Sequence, residues 1–183
     1  MTPPHPQTSL YAPAPSFTPK EEGSAAERLG DTKALVWFLN GPNANLYGLD
    51  ANQVYGNDSF PVLQQRCEAK AAALQLDLRF VQSNYEGQLV DWIQQARGTA
   101  AGIIINAAGL TYSSVPILDA LLAFPGRIIE VHMSNIWRRE PFRHHSYISK
   151  AADGVIAGLG GNGYEMAIEA MSRLIDTSNA QTT

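Results

Sequence analysis

A doubly wound α/β domain on a five-stranded parallel sheet is the fold this sequence predicts, and three observations point to it. Short continuous apolar runs, such as Ala34–Leu39 and Gly102–Ile105, suit strands buried on both faces. Stretches with helical periodicity alternate with those runs, which places helices on both faces of a parallel sheet. Polar, turn-rich loops follow the runs directly, where an open α/β sheet binds its ligands. The densest is Glu130–Tyr147, whose eighteen residues hold three His, three Arg, two Glu and two Ser.

In chain order, residues 1–32 stand apart. Six of the eleven prolines fall at or before Pro19 and no apolar period is visible. Such a segment cannot bury enough apolar surface to offset its ordering entropy, so we expect a mobile extension. A single domain is expected over 33–177, with a short tail at 178–183. The first strand, Ala34–Leu39, ends in Asn40-Gly41-Pro42-Asn43-Ala44-Asn45-Leu46-Tyr47-Gly48, and that loop continues through Val54-Tyr55-Gly56. Ser59 can cap a helix to about Leu74, since Pro61 is tolerated in a first turn. Leu78–Val81 is the second strand. Leu89, Ile93 and Ala96 then share one helix face, and Gly98 can end that helix. Gly102–Ile105 is the third strand, followed by Asn106–Ser114 and a helix to about Ala123. Arg127–Val131 is the fourth strand and Gly154–Ala157 the fifth. A last helix, from about Gly163 to Ile175, aligns Met166, Ala167, Ala170, Met171, Leu174 and Ile175. With right-handed crossovers the predicted strand order is the flavodoxin-like 2-1-3-4-5.

Composition narrows the function. The chain has 183 residues, enough for one domain with a sizeable core. Its net charge of −4 offers no basic face for nucleic acid or anionic membrane. A single cysteine, Cys67, excludes an intrachain disulfide. No apolar run approaches the ~18 residues of a membrane span, and no secretory pattern opens the chain. We expect a cytoplasmic protein.

Gly158-Leu159-Gly160-Gly161-Asn162-Gly163 has the G-x-G-x-x-G form, but it follows the last strand rather than the first, so it reads as a tight turn. His132, His144 and His145 lack a Cys or carboxylate at zinc spacing, and no metal is expected. No P-loop or Gly-x-Ser-x-Gly elbow occurs. His132 is either a satisfied core histidine or a site residue; its place at a strand end favours the site. Arg143 is either a solvated charge or a bidentate carboxylate binder. Asn106, closing an apolar run, must be paired if buried. It either ties down a loop or holds a ligand.

Together these loops resemble those of type II 3-dehydroquinate dehydratases over about Leu35 to Ile175. The resemblance is carried by Leu39-Asn40-Gly41-Pro42-Asn43, Val54-Tyr55-Gly56, Gln82-Ser83-Asn84, Glu86-Gly87, Ile105-Asn106, Glu130-Val131-His132, Ser134-Asn135, Arg139-Glu140, Phe142-Arg143, His145-Ser146-Tyr147 and Gly158-Leu159-Gly160. It implies a cofactor-independent hydro-lyase that removes water from 3-dehydroquinate through an enolate, in aromatic biosynthesis or quinate breakdown. It also implies a homo-oligomer built from trimers, a dodecamer in the family. Tyr55 matches the phenolate base on the lid, Asn43 a residue holding water against the enolate, and His132 the acid, with Glu130 beside it. Asn106, the backbone at Met133, Ser134 and Arg143 match groups that hold the substrate's carboxylate and hydroxyls. Asp119 matches an acidic residue that reaches a neighbouring subunit's site.

Three positions depart from the family pattern. Asp50 stands where the family has a lid arginine, Tyr112 where it has a substrate-binding histidine, and Leu118 where an arginine is common. A tyrosine titrates near 10, so about one in a thousand is phenolate at neutral pH. A nearby cation lowers that value by roughly one to three units, and a carboxylate raises it. No Lys or Arg lies between Lys33 and Arg66, so the cation must come from Arg139, Arg143 or another subunit. Otherwise Asp50 becomes a candidate base itself. Tyr112 is larger than histidine and suits a differently shaped ring. Three readings therefore stand: a 3-dehydroquinate dehydratase; a lyase or hydrolase acting on another cyclic carboxylate through Asp50, Tyr55 and His132; and a non-catalytic metabolite-binding oligomer.

Overall fold

The computed structural model describes residues 33–49 and 58–180, with side chains through Thr177. The Pro-rich segment 1–32, residues 50–57 with Asp50 and Tyr55, and residues 181–183 lie outside the described residues. Five strands, β1 (Ala34–Asn40), β2 (Leu76–Gln82), β3 (Gly102–Asn106), β4 (Arg127–His132) and β5 (Gly154–Ala157), form one parallel sheet in the order β2-β1-β3-β4-β5. This is the flavodoxin-like arrangement expected from the sequence. Four helices cover it: α1 (Phe60–Ala73), α2 (Glu86–Ala96), α3 (Val115–Leu122) and α4 (Gly161–Ala180).

The apolar runs are continuous because both faces of the sheet are buried. Along β1, Val36 and Phe38 face α1 and α4, in a core with Leu63, Cys67, Tyr164, Ile168 and Met171. Trp37 and Leu39 face the other way, among Leu89, Ile93, Ile117 and Leu121 of α2 and α3. Strand alternation thus feeds two cores from one sequence run.

Several boundaries differ from the sequence expectation. Strand β2 begins at Leu76 rather than Leu78, because its pairing follows β1 along its full length from Ala34↔Leu76 to Asn40↔Gln82. Helix α3 ends at Leu122, one residue short of Ala123. Helix α4 starts at Gly161 and passes Ile175 to reach Ala180. Ser59 occupies the start of α1, but its side chain makes no cap bond; its carbonyl accepts the Leu63 N–H at 2.9 Å. Ser114 does cap α3, its Oγ accepting the Ile117 N–H at 3.0 Å. The chain after residue 57 is tied back through Asp58, which pairs with Arg66 of α1. That guanidinium also pairs with Glu165 of α4 and donates to Asn162 Oδ1 at 2.8 Å.

Two glycines set the loops at the carboxyl edge of the sheet. A Cβ on Gly41 would lie 2.5 Å from the Ala107 carbonyl oxygen, so only glycine lets the loops after β1 and β3 touch. Gly158 has φ +90°, and a Cβ there would lie 2.9 Å from Asn135 Cβ. The Gly-rich motif is thus a tight turn packed under the loop after β4. Its amides are used internally: Gly158 N–H donates to His132 O and Gly160 N–H to Met133 O.

Candidate active site

Parallel register brings the strand ends together. Asn40 pairs with Gln82 on one side and Asn106 on the other, and His132 closes β4 against Ala157. The loops beyond them enclose a cleft of about 170 Å³. Asn43, Asn106, Tyr112, His132, Met133, Ser134 and Arg143 all line it, joined by Tyr47 and Arg139.

At its floor lies a buried acid–imidazole pair. Glu130 is fully buried and His132 nearly so. His132 Nε2 is 2.7 Å from Glu130 Oε1. Ser146 Oγ donates to the same oxygen at 2.8 Å, and Ser149 Oγ donates to Oε2. Burial alone would push the Glu130 carboxyl up. Hydrogen bonds from His132, Ser149 and Ser146, with the imidazole charge, outweigh it and hold the group below the usual carboxylate range. An ionised Glu130 only accepts, so Nε2 is the nitrogen that carries hydrogen, and Nδ1 takes no part in that bond.

A second buried network braces the opposite side. Asn106 Nδ2 donates to Tyr47 Oη at 2.8 Å and Tyr164 Oη at 2.6 Å, which uses both amide hydrogens. Its Oδ1 accepts the Ala108 N–H at 3.1 Å. Tyr164 Oη donates to Asn40 Oδ1 at 3.0 Å, and Asn40 Nδ2 donates to the Val81 carbonyl at 3.1 Å. Asn106 therefore ties down a loop at the cleft wall. Burial drives the Tyr164 phenol well above its ordinary pKa, so it stays a neutral bracing hydroxyl. Asn43 is held in the left-handed region at φ 67°, its N–H donating to Asn84 Oδ1 at 2.9 Å. Ala108, φ 51°, is a second left-handed residue at the cleft.

The remaining wall is aromatic and cationic. The Tyr112 ring lies parallel to His132 at 6.4 Å between centroids and meets Phe142 edge-on. Arg143 stands 5.5 Å over Tyr112 and 4.9 Å over Phe142. Its Nε donates to Glu140 Oε2 at 2.8 Å. Burial raises the Tyr112 phenol above its ordinary pKa, partly opposed by the Arg143 charge, so it is a neutral donor. Arg139 donates to Ser134 Oγ at 3.3 Å. The cleft thus offers two cations, a neutral phenol and a buried imidazole to a small anion.

Asp50 and Tyr55 lie outside the described residues. Asp119 is exposed on α3, beside a separate groove lined by Val90, Arg97 and Pro116. Sequence reasoning missed Tyr47, Tyr164 and Ser149. A tyrosine within the apolar stripe of α4 was the available signal for Tyr164, because a buried phenol needs a partner. His144 and His145 turn to different neighbours, the Arg139 carbonyl and the Tyr147 ring. Among the described residues no three His, Cys, Asp or Glu gather as a metal site.

Comparison with known proteins agrees with this geometry. The model of the family described as Dehydroquinase class II matches residues 34–172. A 3-dehydroquinate dehydratase of Bartonella henselae is 51% identical over 135 residues, 74% of this chain and 91% of that protein. One from Cereibacter sphaeroides (strain KD131) is 50% identical over 139 residues, 76% of this chain and 95% of the relative. The crystal structure of type II dehydroquinase from Propionibacterium acnes superposes with a TM-score of 0.74 at 36% identity, covering 79% of this chain and 99% of that one. A matched family model spanning the whole sheet, together with the cleft at its carboxyl edge, leads to one conclusion: the chain belongs to the class II dehydroquinase family.

Proposed function

We propose that this protein is a hydro-lyase that converts 3-dehydroquinate to 3-dehydroshikimate and water. The observation that carries the reading is the buried Glu130–His132 pair at the floor of a cleft whose walls carry Arg139 and Arg143. The substrate is a cyclic carboxylate. Arg143 and Ser134 bind its carboxylate and hydroxyls, and Glu140 and Phe142 keep the Arg143 fork aimed. Tyr55, as phenolate, takes the proton next to the ketone, and the C–H pair moves into an enolate. A water held by Asn43 hydrogen-bonds the enolate oxygen. The enolate then collapses, the carbon–oxygen bond breaks, and imidazolium His132 protonates the departing hydroxyl from Nδ1. Water leaves; Tyr55 and His132 end neutral, and proton exchange with solvent resets them.

Following enone absorbance with purified protein and 3-dehydroquinate tests this. Turnover is expected, with Tyr55→Phe and His132→Ala each lowering kcat at least ~100-fold, as loss of an acid or base does. A wild-type protein without turnover overturns the proposal. Asp50→Arg is expected to raise activity, because a cation near Tyr55 enlarges its phenolate fraction.

Tyr112 favours a second reading, a related cyclic carboxylate of different shape. Its phenol stands in the cleft beside Arg143 and parallel to His132. Faster turnover of another ring acid than of 3-dehydroquinate selects it. For assembly we propose a homo-oligomer built from trimers, a dodecamer, in which exposed Asp119 serves a neighbouring site; light scattering with size exclusion reads the mass.

A further inference from the structure

Tyr112 and Ser149 stand thirty-seven positions apart in the chain, yet one short 3-10 turn links them to the buried acid. The turn Ile148–Lys150 is anchored by Ile148, which is fully buried against α3 and the sheet. Just ahead of it, the Tyr147 N–H donates to the Thr111 carbonyl at 3.0 Å, which fastens the turn to the loop that carries Tyr112. Ser146 Oγ accepts the Ser149 N–H at 3.0 Å, so its own hydrogen is directed onto Glu130 Oε1. Ser149 Oγ takes the other carboxylate oxygen. Every polar neighbour that the structure gives the Glu130 carboxylate is therefore a donor: His132, Ser146 and Ser149.

We propose that Ser146 and Ser149 are positioning residues for proton delivery: they clamp the Glu130 carboxylate so that it orients His132 with Nε2–H inward and Nδ1 toward the substrate. This rests on the hydro-lyase reading only for the catalytic consequence. A carboxylate held by a single partner can swing about its side-chain torsion, and the imidazole then samples both tautomers. A carboxylate pinned on both oxygens has one orientation, and of the two ring nitrogens it accepts from Nε2 alone. The proton that leaves with the hydroxyl then always departs from the nitrogen facing the cleft. Among the described residues, the other charged or titratable groups that line the cleft beside the pair are Tyr47, Tyr112, Arg139 and Arg143. None of them touches Glu130 in place of the two serines.

The test compares wild type with Ser146→Ala/Ser149→Ala in the full-length protein. Histidine ring nitrogens are labelled with 15N, and the His132 signal is assigned by its loss in His132→Ala. In wild type the neutral ring should be the Nε2–H tautomer; in the double variant it should become a mixture of tautomers. With 3-dehydroquinate, kcat should fall at least about tenfold, within the range a general acid contributes, while KM stays within twofold. Ser149→Thr should restore the single tautomer and most of kcat when placed beside native Ser146. An unchanged tautomer in the double variant overturns the clamp whatever happens to kcat. A mixed tautomer with unchanged kcat overturns its role in proton delivery. If the double variant does not fold, Ser149→Cys, whose thiol is a weaker donor of similar size, is read the same way. If wild type does not turn over 3-dehydroquinate, the substrate assignment fails while the tautomer still decides the clamp.

Discussion

Glu130 bears on stability directly and, in the proposed mechanism, on chemistry through His132. Its carboxylate is buried, yet it is held below the ordinary carboxyl range by three donors. An unfolded glutamate titrates near 4.3. Because the folded value is lower, the stabilisation is complete above the unfolded value and is lost as pH falls through the folded one. Wild type should therefore melt well above Glu130→Gln at pH 6, and the gap should narrow steadily in melts at pH 4 and 3. A constant gap would mean that the carboxylate is not ionised in the native state. Tyr112 is the second residue whose chemistry can be read directly. Tyr112→His shortens the side chain and draws its polar atom back toward the backbone. Turnover of 3-dehydroquinate should rise by about tenfold or more, since a site that regains a hydroxyl partner regains discrimination. Steady-state kinetics on both forms checks it.

At the scale of elements, the cleft-lining loops depend on helices that start and stop where they should. Helix α3 is only eight residues long and begins directly after the loop that carries Tyr112. Its start relies on Ser114, which is buried and accepts the Ile117 N–H. Ser114→Ala should cost about 1 kcal/mol, as loss of an N-cap does, measured as a lower urea midpoint at unchanged slope. The equivalent change Ser59→Ala at α1 should cost little, because that side chain makes no cap bond. The sequence offers Ser59 as a cap and gives Ser114 no such role; the bonds in the structure reverse the two. Tertiary pairing likewise extends β2 through Leu76 and Asp77, which pair with Ala34 and Leu35.

For the whole molecule, two cores share one sheet, and Cys67 sits within the first of them. Burial pushes its thiol up to about 12, so in the native protein it is both unreachable and protonated. Labelling with an aromatic disulfide at pH 8 should be negligible in buffer and complete in denaturant. Across intermediate urea its rate should track the unfolded population rather than the pH. Rapid labelling of the folded protein would contradict the packing of α1 against α4.

What the sequence determined by itself was the succession of elements, the doubly wound sheet and the edge on which polar chemistry gathers. These follow from local facts: continuous apolar runs must be buried on both faces, and polar residues at strand ends emerge together once the strands are parallel. His132 and Arg143 were visible for that reason. Only the tertiary structure decided who partners whom. Tyr164 reaches Asn40 across 124 positions, and Ser149 reaches Glu130 across 19. No period or spacing encodes such contacts, because a hydrogen bond depends on where distant elements are brought by packing rather than on neighbouring residues.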